Sequence, residues 1–246
     1  MLQDRPALRR KASLLVLNSQ PRVILVGFVY LLLQMLVQWL SSNVLYVNVS
    51  TDELRAYLRL AQSGSYDYEQ LTELLARMEP PASAYAIELL LTLTMSIVTA
   101  GFVLFLLNTA RGRGAAFGNL LDGFIIGHRI AALHLLRGAL IFLGSLLLFV
   151  PGIVAAYVYS QALYLLLDDP KKSPVQCLRE SRLLMRGHKM DLFLLDLSFL
   201  GWYVLAQMPF FGFAVRVWST PLIRMSKTLF YLGLLGETAA DRPADA

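Results

Sequence analysis

Five residues in the last quarter of the chain could do chemistry inside a membrane: Asp196, Thr220, Arg224, Lys227 and Tyr231. Asp196 is the one acid within the apolar run that follows Asp191. The other four recur at spacings of four, three and four, which is one stripe of an α-helix. An ionisable group in hydrocarbon costs at least ~2.5 kcal/mol on insertion scales, so it is expected to face a partner or water. At 1.5 Å per residue Asp196 would sit about 9 Å into its span and Lys227 about 12 Å from the same face. We therefore expect Asp196 to pair with Lys227 or Arg224. Such a pair has three readings: a clasp that fixes helix register, a proton or ion relay or polar cavity for an anionic headgroup, or a basic pair snorkelling from a segment, 222–236, that lies flat at the interface. Arg216 extends the same stripe outward.

Other chemistry is hard to find. His128, His134 and His188 form no H-x-x-x-H pair with a glutamate between them. There is no G-x-S-x-G, no C-x-x-C and no Walker-type phosphate loop. Arg111-Gly-Arg-Gly reads as a flexible basic turn, and Cys177 as an inert thiol in a reducing compartment. Glu88 and Arg137 are placed to reach opposite surfaces, without a shared site. No catalytic constellation, metal site or cofactor is expected. Pro151-Gly152 is a candidate helix break, either a plain outer turn or a re-entrant dip of the kind that lines sites in transporters. Gly123 and Gly127 form a small-xxx-small pair suited to close helix packing.

The composition says where such residues must work. Of 246 residues, 57% are hydrophobic and 16% charged, against about 45–50% and 25% in soluble domains. Mean hydropathy is +0.56. The net charge of +5 comes from basic residues clustered beside apolar runs. That fits topology signals and anionic lipid headgroups, not nucleic acid. The first apolar run is too long for a cleaved signal and lacks its small-residue site, so it reads as a retained span.

Six spans position the charged residues: residues 23–46, 84–108, 130–150, 153–167, 190–208 and 213–235. Gln34, Gln38 and the small polar residues near its end are the polar exceptions inside the first. Residues 1–21 read as a cytoplasmic amphipathic segment, with Leu8, Leu14, Leu15 and Leu17 toward lipid and Arg9, Arg10 and Lys11 toward headgroups. Residues 47–83 hold six acids against three arginines and read as an external helical hairpin, its second helix marked by Leu71, Leu74, Leu75 and Met78. A lid over a substrate path is the sharper alternative for that hairpin. A surface helix is expected over 173–187, and a polar, disordered tail over 237–246. Lys and Arg number five up to Arg22, four over 110–137 and six over 168–191. Those segments face one side if both termini are cytoplasmic. The fold class is thus all-α: a six-helix transmembrane bundle forming a single integral membrane domain over 1–246.

With these residues placed, the chain resembles the bacterial integral-membrane family called domain of unknown function 975. The likeness lies in LFVPGIVAAYVYSQALYLLLDDP, then Ser181, Met185, Gly187, Lys189, Phe193, Ser198-Phe199 and Gly201-Trp202, and later Gly212, Pro221 and Phe230-Tyr231. Leu121-Asp122-Gly123-Phe124 resembles a shorter element. Leu222 departs from the pattern, standing where the family usually has tyrosine. The resemblance implies a multi-pass protein of a bacterial cytoplasmic membrane and no transferable activity. The leading expectation is a non-enzymatic accessory, assembly or scaffold component that contacts membrane lipids. A small transporter or permease with a polar site between spans 5 and 6 comes second, and an intramembrane enzyme third.

Overall fold

A computed structural model describes residues 5–19, 22–46, 51–63, 68–69, 72–73, 76, 79–209 and 211–240. Every regular element among them is helical. The chain divides into two compact units, Met1–Leu32 with Ser96–Ala246, and Leu33–Met95. Four helical stretches are long and apolar enough to cross a membrane: Val23–Val44, Ala82–Ala110, Asn119–Leu147 and Val150–Asp168. They match the first four predicted spans to within a few residues, except that the third begins earlier.

Helix α1, Arg5–Asn18, is followed by α2, Val23–Tyr46. Ser19 Oγ accepts the Val23 amide proton at 3.3 Å and so caps the start of α2. Ala12 and Val16 form the buried face of α1, while Leu14 and Leu17 are half exposed beside exposed Arg10 and Lys11. Arg9 departs from the predicted headgroup-facing row: its guanidinium lies over the buried Phe199 ring, 4.8 Å from the centroid.

The smaller unit holds the rest of α2, helix α3 (Thr51–Ser63) and the start of α4 (Ala82–Ala110). Only the first helix of the predicted hairpin can be followed. Leu71, Leu74, Leu75 and Met78 lie outside the described residues. The Asp52–Arg55 pair on α3 is 3.4 Å apart, with side chains 89% and 69% exposed, an arrangement that contributes little to stability.

In the larger unit, α5 (Asn119–Asp122) runs through a 3-10 turn, Gly123–Ile126, into α6 (Gly127–Leu147). The predicted break at Pro151-Gly152 is corrected. The chain turns at Leu148, whose backbone is extended, and both residues lie in the first turn of α7, Phe149–Val158. Proline is tolerated there because the first turn has no amide partner to lose. Gly152 serves packing: a side chain on it would overlap Ser145, and a Cβ on Gly144 would stand 3.3 Å from the Gly152 backbone. The reversal is therefore a tight helical hairpin.

Helix α8 (Ala162–Asp168) continues the fourth stretch after a turn at 159–161. Helix α9, Pro174–Leu184, opens where Ser173 Oγ accepts from the Gln176 amide. The predicted fifth span is interrupted. It forms α10 (Lys189–Leu197) and α11 (Leu200–Leu205), separated at Ser198-Phe199. Ser198 Oγ donates to the Leu195 carbonyl at 2.6 Å, a local bond that competes with the helical ladder. Helix α12, Gly212–Ala240, contains Pro221 and the basic stripe. It continues through 237–240, so the predicted tail is helical there, while 241–246 lie outside the described residues.

Candidate functional site

The stripe on α12 is divided among three neighbours. Lys227 Nζ lies 2.8 Å from Asp196 Oδ1 and donates to Oδ2 at 3.1 Å. Tyr157 Oη donates to the same Oδ2 at 3.4 Å from α7. The two charged side chains are 33% and 20% exposed, so the pair is partly shielded. Tyr157 is itself held edge-on by the Phe193 ring of α10, at 5.9 Å. The expected Asp196–Lys227 contact is thus present, braced by a tyrosine that the sequence did not single out.

Arg224 goes elsewhere. Its Nη2 donates to Tyr30 Oη at 3.0 Å, and its guanidinium lies 5.3 Å from the centre of the Tyr30 ring. Tyr30 is buried, stacks on Phe102 at 4.7 Å and shares a hydrogen bond with Thr99 at 3.2 Å. The cation is accommodated by an aromatic face and a hydroxyl instead of a carboxylate. Gly27 makes this approach possible nearby: a Cβ there would meet Pro221 Cγ at 2.5 Å.

Tyr231 belongs to a third group. Its Oη donates to Asp168 Oδ2 at 2.6 Å, and Arg111 grips the same carboxylate with Nη1 at 2.5 Å and Nη2 at 2.7 Å. This fork geometry is the strong form of an arginine–carboxylate pair. The Asp168 bond raises the affinity of Arg111, just beyond α4, for its proton. Arg129 donates to the Pro170 carbonyl, adding a second tie at the same end of α8. Thr220 is half buried one turn before Arg224 and, among the described residues, bonds to none of the three groups.

Sequence reasoning missed Arg111, Asp168, Tyr157 and Tyr30. Asp168 is the last residue of α8 and stands in Asp-Asp-Pro, a pattern that reads simply as a helix end. A model of one protein family matches residues 3–238 of this chain, described as protein of unknown function (DUF975). The chain belongs to the DUF975 family. No curated protein and no solved structure matches it.

Several of the residues that carry the resemblance to the family lie in the interior of the fold. Ser181, Met185, Phe199, Phe230 and Tyr231 are buried. Ser181 Oγ donates to the Val158 carbonyl at 2.8 Å and accepts from the Gln161 amide, stitching α9 to the turn between α7 and α8. Gly187 has φ of +81°, a conformation that glycine adopts without strain. Leu222, at the position of departure, is buried, and its carbonyl accepts from Ser226.

Near the α9 start, Lys172 Nζ donates to Glu180 Oε2 at 2.7 Å, which raises the lysine's proton affinity. Burial pushes the adjacent Cys177 thiol above its usual range. Since only the thiolate reacts readily, the folded protein should take up almost no maleimide at neutral pH. After denaturation in detergent it should take up one label per chain, at its single cysteine. Mass spectrometry reads this directly, and rapid labelling of the native protein would contradict the burial.

Proposed function

We propose that this DUF975 protein is a non-enzymatic, multi-pass component of a bacterial cytoplasmic membrane, acting as an accessory, assembly or scaffold subunit through helix packing and lipid contact. In this reading α10–α11 and α12 add a fifth and a sixth span to the four apolar stretches, both termini are cytoplasmic, and residues 47–83 stand outside. The observation that carries the reading is the engagement of Asp196. The acid is held by Lys227 and Tyr157, with Arg224 drawn away onto Tyr30. That is what a register-fixing clasp requires, and a relay would leave the acid accessible to a moving ion.

A permease with a polar site between spans 5 and 6 is the second reading. It draws on Asp196 itself, whose Oδ1 is buried and, among the described residues, accepts no hydrogen bond, although Lys227 Nζ lies 2.8 Å away. One experiment separates the two. Asp196→Asn, Lys227→Met and the double variant are unfolded reversibly in mixed detergent, and the same proteins are placed in vesicles carrying a pH-sensitive dye. The clasp predicts a coupling energy of about 1–2 kcal/mol and partial recovery in the charge swap Asp196→Lys/Lys227→Asp. It also predicts proton flux no greater than in empty vesicles. Proton flux through the wild type that Asp196→Asn abolishes, with the fold retained, would establish the permease instead.

A further inference from the structure

The interrupted fifth span is held differently on its two sides. Before the break, α10 is fixed in the bundle: Leu192 and Leu195 are buried, Phe193 packs on Tyr157, and Asp196 is bound by Lys227. Beyond the break, α11 begins at Phe199, whose carbonyl accepts the Trp202 and Tyr203 amides at 2.9 and 3.1 Å. The Phe199 side chain is fully buried, and the group against it comes from the other end of the chain. Arg9 of α1 places its guanidinium 4.8 Å from the centre of that ring. Helix α1 packs against α12 and is seated by Ala12 and Val16, both buried. One turn past Phe199, Tyr203 stands within electrostatic reach of both Asp196 and Arg224. All of these contacts lie within the larger unit.

We infer that α1 is a latch on α11. Arg9, by gripping Phe199, holds α11 at the angle that turns Tyr203 toward the Asp196–Lys227 pair. When α1 lets go, α11 pivots about Ser198-Phe199 and carries Tyr203 away. The break supplies the hinge. At Ser198 the hydroxyl turns back onto the Leu195 carbonyl at 2.6 Å, where the regular ladder of α10 ends. A swing at that point leaves α10 in its place. The ring supplies the handle: α11 starts on Phe199, so a hold on its side chain is a hold on the first turn of that helix. A cation over an aromatic face is weak enough to part and re-form, unlike an arginine–carboxylate fork. The neighbouring Arg10 and Lys11 are exposed and take no part. The inference does not rest on the accessory reading proposed above, since the clasp acts on α10 and the latch on α11.

The test uses the full chain in lipid nanodiscs, with Cys177→Ser and spin labels attached at Val154→Cys on α7 and Val204→Cys on α11. These positions are 44% and 63% exposed, so they accept a label. Helix α7 is tied to α10 through Tyr157, so the distance between labels reads the angle of α11. Pulsed electron paramagnetic resonance of this parent should give one dominant, narrow distance. Arg9→Ala should raise the displaced population about threefold. Phe199→Leu, which keeps the apolar bulk and removes the aromatic face, should do the same. Arg9→Lys, which keeps the cation, should fall between the parent and Arg9→Ala. Arg10→Ala, which removes an exposed charge from the same helix, should change nothing. Circular dichroism checks that each variant keeps its helices, and if Arg9→Ala does not fold, Phe199→Leu and Arg9→Lys decide. Distances as narrow as the parent's in Arg9→Ala and Phe199→Leu would overturn the inference, and so would an equal broadening in Arg10→Ala.

Discussion

Asp168→Ala is expected to destabilise the folded protein by about 2–3 kcal/mol, measured by reversible unfolding in mixed detergent. The carboxylate accepts three short hydrogen bonds, two from Arg111 and one from Tyr231. Removing it leaves the guanidinium and the phenol facing each other with no acceptor between them. The side chains of Arg111 and Asp168 are 22% and 21% exposed, so water recovers part of the loss, and the figure falls below that for a fully buried pair. Graded variants separate the contributions. Tyr231→Phe removes one hydrogen bond and should cost about 1 kcal/mol. Asp168→Asn keeps the shape but loses the charge assistance and should lie between the two. If Asp168→Ala costs no more than Tyr231→Phe, the arginine fork contributes nothing, and the tie between the end of α4 and the end of α8 is only a proximity.

Why this group escaped the sequence, while the Asp196 pair did not, has a physical reason. Asp196 was legible because it stands alone among apolar residues. A charge in that setting demands a partner, and a short connection placed Lys227 within reach. Asp168 stands in Asp-Asp-Pro, where acid and proline already explain themselves as a helix end. Its partners lie 57 residues before and 63 after it, with no periodicity linking them. Tyr30 is more remote still, 194 residues from Arg224, and a neutral partner for a cation leaves no trace in a charge pattern.

The apolar stretches were legible for the opposite reason, since length and hydropathy are local quantities. Their interruptions were less so. Proline and glycine at 151–152 advertise a break, yet the turn falls at Leu148, because proline suits a helix's first turn as well as its end. The gap at Ser198-Phe199 depends on a serine hydroxyl turning back onto a carbonyl, a choice that an apolar pattern does not record.

The same limit applies to close approaches between backbones, which glycine permits without announcing them. Gly123 and Gly127 were noticed through their spacing. A Cβ on Gly123 would lie 2.5 Å from the Ile97 carbonyl oxygen, and one on Gly127 would lie 3.1 Å from the end of the Ile97 side chain. Gly101, on the facing stretch of α4, has no such signature, yet it is the tighter position. A methyl group there would overlap the Leu120 carbonyl and stand 2.7 Å from that of Asn119. These are backbone atoms, so no rotamer change relieves the clash, and α5 must move away from α4. That movement would also strain Asn119, whose side chain accepts from the Ala116 amide at 3.0 Å and donates to Asp122 at 2.6 Å. The loop carrying Arg111 runs directly into this segment. Gly101→Ala should therefore cost about 3 kcal/mol, at the upper end for overpacking, and should loosen the Arg111–Asp168 tie as well. Gly138→Ala, on α6, is the matched comparison: its Cβ meets nothing within 4 Å. There, replacing a glycine in mid-helix should stabilise by about 0.5 kcal/mol. One added methyl group thus acts with opposite signs at two helical glycines, a difference that unfolding midpoints resolve easily. Equal effects at the two positions would mean that α4 and α5 do not meet backbone to backbone, and the packing that holds the Arg111 loop in place would have to be sought elsewhere.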